Sequence, residues 1–323
     1  MTRIPTLLGI IIIASGFDGI LRAQEPATQP MERASENPLS LAPEPPPPRP
    51  VDGIRDNAFF VEEAYNQEAG VVQHVIFANF GVDERGTPRT RSWDLNFSQE
   101  WPIFSQRHQF SYAIPYSFVD VSGEPHHDSD IGDIQLDYRY QVSLDEGSSA
   151  AIAPRISLIL PTGDEDRDFG NGVVGYQFNL PISKTITDRL YINFNAGFTH
   201  LPNVQRRQAD GRDTPEYDLL DLKLGASAIY SVTEEFNLML EATWTAGQDI
   251  DEHASPLDKR IMLDRRHVHE VVISPGMRWA INLPENLQIV PGLAFPIGLT
   301  SDSVDYGIFF YLSIEHSFLG DGK

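Results

Sequence analysis

Acids and histidines gather at three places in this chain where oxygen or nitrogen donors could hold an ion. Residues 163–172, GDEDRDFGNG, offer Asp164, Glu165, Asp166 and Asp168, hard oxygen donors suited to Ca²⁺ or to bridging lipopolysaccharide phosphates through one. The run lacks the spacing and the closing bidentate Glu of an EF-hand loop, so a solvated acidic loop is the plainer reading. His126 and His127 with Asp128 and Asp130, and the set His253, His267 and His269, are nitrogen-rich enough for a transition metal. Adjacent histidines in a polar loop are more often ordinary surface residues. No metal is therefore assigned; Asp164, Asp166, Asp168, His126 and His127 are the weak candidates.

A second set of charged residues recurs at alternate positions of otherwise apolar runs: Asp94, Glu100, Asp133, Asp137, Arg139, Arg155, Asp221, Lys223, Glu241, Arg278 and Glu315. In a low-dielectric frame such groups pair with one another, forming either a selectivity lining or a satisfied polar interior. Acids outnumber bases in this set, which predicts a preference for cationic or neutral solutes over anions. His74, near the start of the first periodic run, is expected at a rim or in the interior. No Ser stands beside a His on an apolar parity with an orienting Asn, His316 and Ser317 point to opposite faces, and no phosphate loop or nucleophile elbow occurs. The chain is read as no enzyme and without a cofactor.

The elements that must carry these charges are β-strands. LDLKLGASAIY (220–230) puts Leu220, Leu222, Leu224, Ala226, Ala228 and Tyr230 on one face and Asp221, Lys223, Gly225 and Ser227 on the other. Strand residues alternate faces, so one face meets an apolar medium and the other a wet one. The pattern recurs near 71–80, 92–103, 108–119, 133–143, 150–161, 173–183, 190–200, 218–231, 236–246, 268–281, 287–298 and 306–318. Each run is close to the roughly 9–11 residues that cross a bilayer as a tilted strand. A two-sheet sandwich would also alternate. Two features favour a barrel. Connectors after odd runs are long and charged whereas even ones such as FSQRH, TITDR and TEE are short, and Trp93, Trp101, Trp244 and Trp279 fall near run ends, where interfacial girdles sit. The expected fold is all-β: a transmembrane, antiparallel, up-and-down β-barrel of about 12 strands with long extracellular loops and short periplasmic turns.

The remaining segments fit that expectation. The formal charge is −22 and the mean hydropathy −0.26, compatible with a barrel because only alternate residues touch lipid. Such acidity excludes nucleic acid as a partner. With no cysteine in 323 residues, a disulfide framework and a lipoprotein anchor are excluded. Residues 1–23, with Arg3 before the apolar Leu7 to Ala14, resemble a secretory signal peptide. Residues 24–55 are Pro-rich and read as a disordered periplasmic tether. Residues 56–70 read as a short segment of one or two helical turns or a plug, with Phe59, Phe60, Val61 and Ala64 as an apolar patch. The barrel spans 71–318 and a tail 319–323. The last run, GIFFYLSIEHSF, ends in an aromatic residue of the kind outer-membrane assembly machinery reads.

The stretches DNAFFVEEAYNQEAGVVQH (56–74), GDIQLDYRYQV (132–142), APRISLILPTGDE (153–165) and LYINFNAGFTH (190–200) resemble the family of outer-membrane transporters linked to the meta-pathway of phenol degradation, the MetA-pathway family. The PTG turn at Pro161 to Gly163 is its best marker. The resemblance covers about residues 56–318; the Pro-rich tether is an addition to its pattern. It implies a barrel that helps small, often aromatic compounds across the outer membrane, and it supplies no catalytic residues. The function expected is an outer-membrane channel for passive uptake of small molecules, aromatic or hydrophobic compounds among them. The alternative is a structural or adhesion-type barrel with a plugged lumen and interacting loops. Expected partners are outer-membrane lipid and lipopolysaccharide, a small-molecule solute and the assembly machinery; both termini are expected in the periplasm.

Overall fold

The computed structural model describes Ile54 and residues 58–85, 89–122, 128–145, 149–207, 213–254, 261–284 and 287–318. The expected signal peptide, all of the tether except Ile54, His126, His127 and the tail lie outside the described residues. The strands are β1 (Val71–Asp83), β2 (Thr90–Ile103), β3 (Ser105–Val121), β4 (Asp128–Ile131), β5 (Ile134–Tyr140), β6 (Ala151–Ile152), β7 (Arg155–Leu160), β8 (Gly175–Thr187), β9 (Leu190–Val204), β10 (Tyr217–Thr233), β11 (Phe236–Ala254), β12 (Ile261–Trp279), β13 (Ile281–Leu283), β14 (Leu287–Ala294), β15 (Ile297–Gly298) and β16 (Tyr306–Ser317). Short breaks divide some staves: Gly132 and Asp133 separate β4 from β5, and Ala153 and Pro154 separate β6 from β7. Joined across such breaks, the strands make a closed, antiparallel barrel of twelve staves.

Closure comes from β1 against β16, in unbroken register from Val71↔Ser317 to Val82↔Tyr306. No edge is left unpaired at that seam, as a lipid-embedded sheet requires. The long connectors lie at one end of the cylinder and the short turns, such as Asp188–Arg189 and Glu234–Glu235, at the other.

The inside-out distribution follows from parity. Outward positions carry the apolar residues and are exposed: Phe118 43%, Phe194 50%, Leu238 45%, Leu240 53% and Ile156 57%. Among the described residues that are buried, polar and charged side chains outnumber hydrophobic ones, and those that sit inside include Arg278, Gln73, Asn193, Ser183 and Glu241. A sandwich would reverse this, with an apolar interior. Twelve staves enclose more space than the side-chain-filled eight-stranded barrels, so something further has to fill or wet the centre.

Candidate functional site: a plugged lumen

All eleven charged residues singled out in the sequence lie on the inward parity. They do not line an open bore. The chain that precedes β1 enters at the short-turn end, where Ile54 packs on Ala280 and Val290, then crosses the lumen and returns to β1. No helical turn forms over 58–69, contrary to the helical expectation. The reason is competition for its N–H groups, which wall side chains take. Glu241 Oε1 accepts from Phe60 N and Val61 N, each at 3.0 Å, and Asn195 Oδ1 from Glu62 N at 2.8 Å. Ser183 Oγ accepts from Ala64 N at 2.8 Å, Gln141 Oε1 from Asn66 N at 3.0 Å and Gln109 Oε1 from Gln67 N at 2.8 Å. Buried backbone groups need such partners, and here four strands of the wall and Gln141, just past the end of β5, supply them.

Carbonyls are served in turn. Arg139 donates to the Tyr65 carbonyl at 2.6 Å and to Asn66 Oδ1 at 3.0 Å, Gln141 Nε2 to the Ala64 carbonyl at 2.7 Å and Asn195 Nδ2 to the Glu62 carbonyl at 2.8 Å. Two ion pairs fix the plug's acids. Arg155 holds Glu62 at 2.6 Å and Asp137 at 2.5 Å, and Arg278, fully buried, holds Glu63 at 3.1 Å and the Tyr191 hydroxyl at 2.9 Å. Wall glycines make room for the plug's apolar side chains. A Cβ at Gly292 would stand 2.5 Å from the Phe59 ring, and one at Gly225 would stand 3.0 Å from Val61. Phe59 and Phe60 also stack on Phe309, with centroids 5.4 and 4.6 Å away.

The other inward charges divide between the walls and the mouth. Glu100 lies 3.5 Å from Arg139, Asp94 accepts from Ser117 at 2.9 Å, and Glu315 is buried opposite Gln73. At the long-loop end Asp133 accepts from Gly163 N at 3.0 Å and Asn171 N at 2.8 Å, while Thr162 Oγ1 donates to the Gly132 carbonyl at 3.0 Å. These bonds lock the PTG turn onto the β4–β5 break and draw the loop 161–174 toward the mouth. Asp221 accepts from Gln248 N at 2.9 Å. Lys223, on the same parity, stands in one row with Thr245 and Glu270.

The weak metal candidates disperse. Asp164 caps the short 3₁₀ turn Glu165–Arg167 through Asp166 N, and Asp168 pairs with Arg206 at 3.4 Å. Arg167 engages Asp128 and Asp130. Among the described residues no group of three or more His, Asp or Glu could hold a metal ion.

His74 lies near the short-turn rim, one of its two expected places, but its side chain faces outward and not into the lumen. There it belongs to a polar chain on the lipid-side surface. Tyr112 donates to Gln99 Oε1, Gln99 Nε2 bonds His74 Nδ1 at 2.6 Å, and His74 Nε2 meets His316 Nε2 at 3.1 Å. His316 Nδ1 is 3.3 Å from the Ser317 carbonyl, which can only accept. The bonds form one continuous chain, so these polar side chains find partners among themselves on a surface facing hydrocarbon. The missed plug residues Glu62, Glu63, Asn66 and Gln67 carried no sequence signal, because an aperiodic segment has no parity. Glu270 could have been found within the 268–281 run, where it shares the parity of Arg278.

No family model matches the chain, and no curated protein matches it. Among solved structures, an outer-membrane channel from Pseudomonas putida F1 superposes with a TM-score of 0.58 at 11% identity, covering 79% of this chain and 98% of that one. The fold is that of an outer-membrane barrel. The translocator domain of the autotransporter NalP from Neisseria meningitidis gives a TM-score of 0.48 at 10% identity, covering 78% of this chain and 90% of that one. The NanC porin gives 0.43 at 10% identity, covering 75% and 98%.

Proposed function

We propose that this outer-membrane barrel is a channel for passive uptake of small molecules whose lumen is held shut at the short-turn, periplasmic end by residues 58–69. One observation carries the reading: a cylinder with an apolar exterior keeps ionised side chains inside, and those nearest the periplasm hold a length of chain rather than filling the bore with wall-to-wall pairs. The likeness of residues 56–318 to transporters linked to phenol degradation supports small, aromatic or hydrophobic compounds as the solute class. Acids outnumber bases seven to four among the eleven inward residues named above, which favours cationic and neutral solutes over anions.

The number of bonds on the plug favours the second reading, a structural barrel. The two diverge in liposome swelling with neutral, amine-bearing and acid-bearing aromatic solutes. The channel reading expects flux of the first two, raised by Glu241→Ala, which frees Phe60 N and Val61 N. A Glu241→Ala barrel that is folded and still passes none of the three would assign the protein to the structural class.

A further inference from the structure

The β11–β12 pairing runs without a break from Phe236↔Trp279 to Ala254↔Ile261. Their neighbours stop sooner: β10 follows β11 only to Leu222↔Ala246, and β15 follows β12 only to Val272↔Gly298. Residues 247–254 and 261–271 therefore form a two-stranded ribbon with no strand on either side. An unsupported ribbon at the end of a barrel would ordinarily stand in water. This one does not. Ile250 and Leu263 are each 8% exposed, in a cluster with Leu201, Val204 and Leu219 that Ile159, Val173 and Tyr217 flank.

The location of that cluster follows from register. Leu219↔Leu201 lies two residues above Asp221↔Thr199, on the parity that points into the lumen, and Ile159 has the same parity as Arg155 and Ser157. Ile250 and Leu263 continue the outward parity of β11 and β12, so the ribbon has to twist inward over the mouth for them to meet these inward-pointing side chains. It leaves the wall at Gly247, where a Cβ would stand 2.1 Å from Asp221 Oδ1, the oxygen that accepts from Gln248 N. On one edge the Arg265 guanidinium lies 5.8 Å from the Tyr217 ring; on the other Arg266 pairs with Asp302 at 3.2 Å, and Asp302 also accepts from His269 N. Loop 161–174, tied down through Asp133, contributes Val173 to the same cluster.

We propose that the β11–β12 ribbon is the outer gate of the barrel. It is hinged at Gly247, latched by Asp221 on Gln248 N and sealed by Ile250 and Leu263 on the inner wall, and a solute enters the chamber above the plug when the ribbon lifts. The gate rests on the channel reading of the preceding subsection. Its seal is small and its two edges lack ladder partners, the signature of an element that opens locally without unfolding the barrel.

The full chain has no cysteine, so a single introduced thiol reports on the chamber. Lys223→Cys lies on the inward parity two residues below Asp221 and two above Gly225, against which the plug's Val61 packs, and so between gate and plug. The full barrel in nanodiscs is labelled with a charged maleimide, and the rate is compared with that of Asp188→Cys on an exposed turn. With the native ribbon the chamber thiol should react at least about tenfold more slowly than the turn thiol. Adding Ile250→Asp and Leu263→Asp should remove most of that difference; should this pair fail to fold, Ile250→Ser alone should still speed labelling about threefold. A chamber thiol that reacts as fast as the turn thiol with the native ribbon, or folded variants that label at the native rate, would overturn the gate. Solute flux plays no part in this readout, so a barrel that labels as expected yet passes no solute would instead tell against the channel reading.

Discussion

The two ends of the lumen are closed by opposite physics. At the short-turn end, directional hydrogen bonds grip the backbone of 60–67 and two ion pairs, that of Arg278 with Glu63 buried, hold its acids, and most of the wall's bonds are to N–H and C=O groups that any residue would offer. At the mouth, a few aliphatic side chains seal a ribbon without directional bonds to the seal itself. A hydrogen-bonded closure holds one geometry and is costly to break in part, because each freed buried group lacks water to replace its partner. An apolar closure is non-directional and yields in proportion to area. The barrel therefore pairs a stiff inner closure with a soft outer one.

Perturbing the stiff end should have the larger consequences. Arg278→Leu removes the buried guanidinium that pairs with Glu63, and loss of one partner of a buried pair costs about 3–5 kcal/mol; a lowered urea midpoint together with new leak conductance would register it. Glu241→Ala removes the acceptor for two plug N–H groups, which should cost about 2–3 kcal/mol and release the plug before the barrel unfolds. Proteolysis within 58–69 of the embedded protein would detect that order of events. Ile250→Ala, at the soft end, should cost about 2 kcal/mol or less, since the ribbon can settle into the space left. It should change chamber labelling while leaving the urea midpoint of the barrel within error.

The smallest effect lies outside the lumen. In the turn after β5, burial works against ionisation of Asp145, but the Lys184 ammonium at 2.5 Å and the Thr185 N–H at 2.6 Å hold its carboxyl below the usual carboxylate range. A depressed folded value contributes stability above the unfolded pKa, and that contribution fades as pH falls through the folded one. Asp145→Asn should cost about 1 kcal/mol or less at neutral pH and nothing measurable in strong acid, read as the pH dependence of the urea midpoint. Equal losses at both pH values would remove the ion pair from the account.

Sequence alternation gave the fold away because lipid outside and water inside impose the same two-residue period on every stave. LDLKLGASAIY shows it with hardly an exception, and its outward Leu220, Leu224 and Tyr230 are all exposed. Inward charges were legible for the same reason. What they bind was not: Arg139, Arg155 and Arg278 look alike as strand residues, and their partners Glu62, Glu63 and Asn66 sit in a segment whose path is set by the wall. Phe59, Phe60, Val61 and Ala64 suggested a helical patch because local spacing alone cannot show that wall side chains claim the N–H groups. The outward orientation of His74 was hidden for a related reason, since a polar residue on the lipid parity is disfavoured until Gln99, Tyr112 and His316 satisfy it. The ribbon at the mouth lies in a charged stretch without apolar alternation between the runs 236–246 and 268–281, so it reads as a loop in sequence, and only the continued β11–β12 pairing shows a paired ribbon beyond the wall.

The claim on which the rest depends is that residues 58–69 close the lumen and that passage requires them to shift. Val61→Cys with Gly225→Cys tests it directly, because a Cβ at Gly225 would lie 3.0 Å from the Val61 side chain, within reach of a disulfide. In planar bilayers the oxidised protein should remain closed and a reductant should restore openings in the same membrane. Equal conductance before and after reduction, with the disulfide verified by mass, would contradict the account.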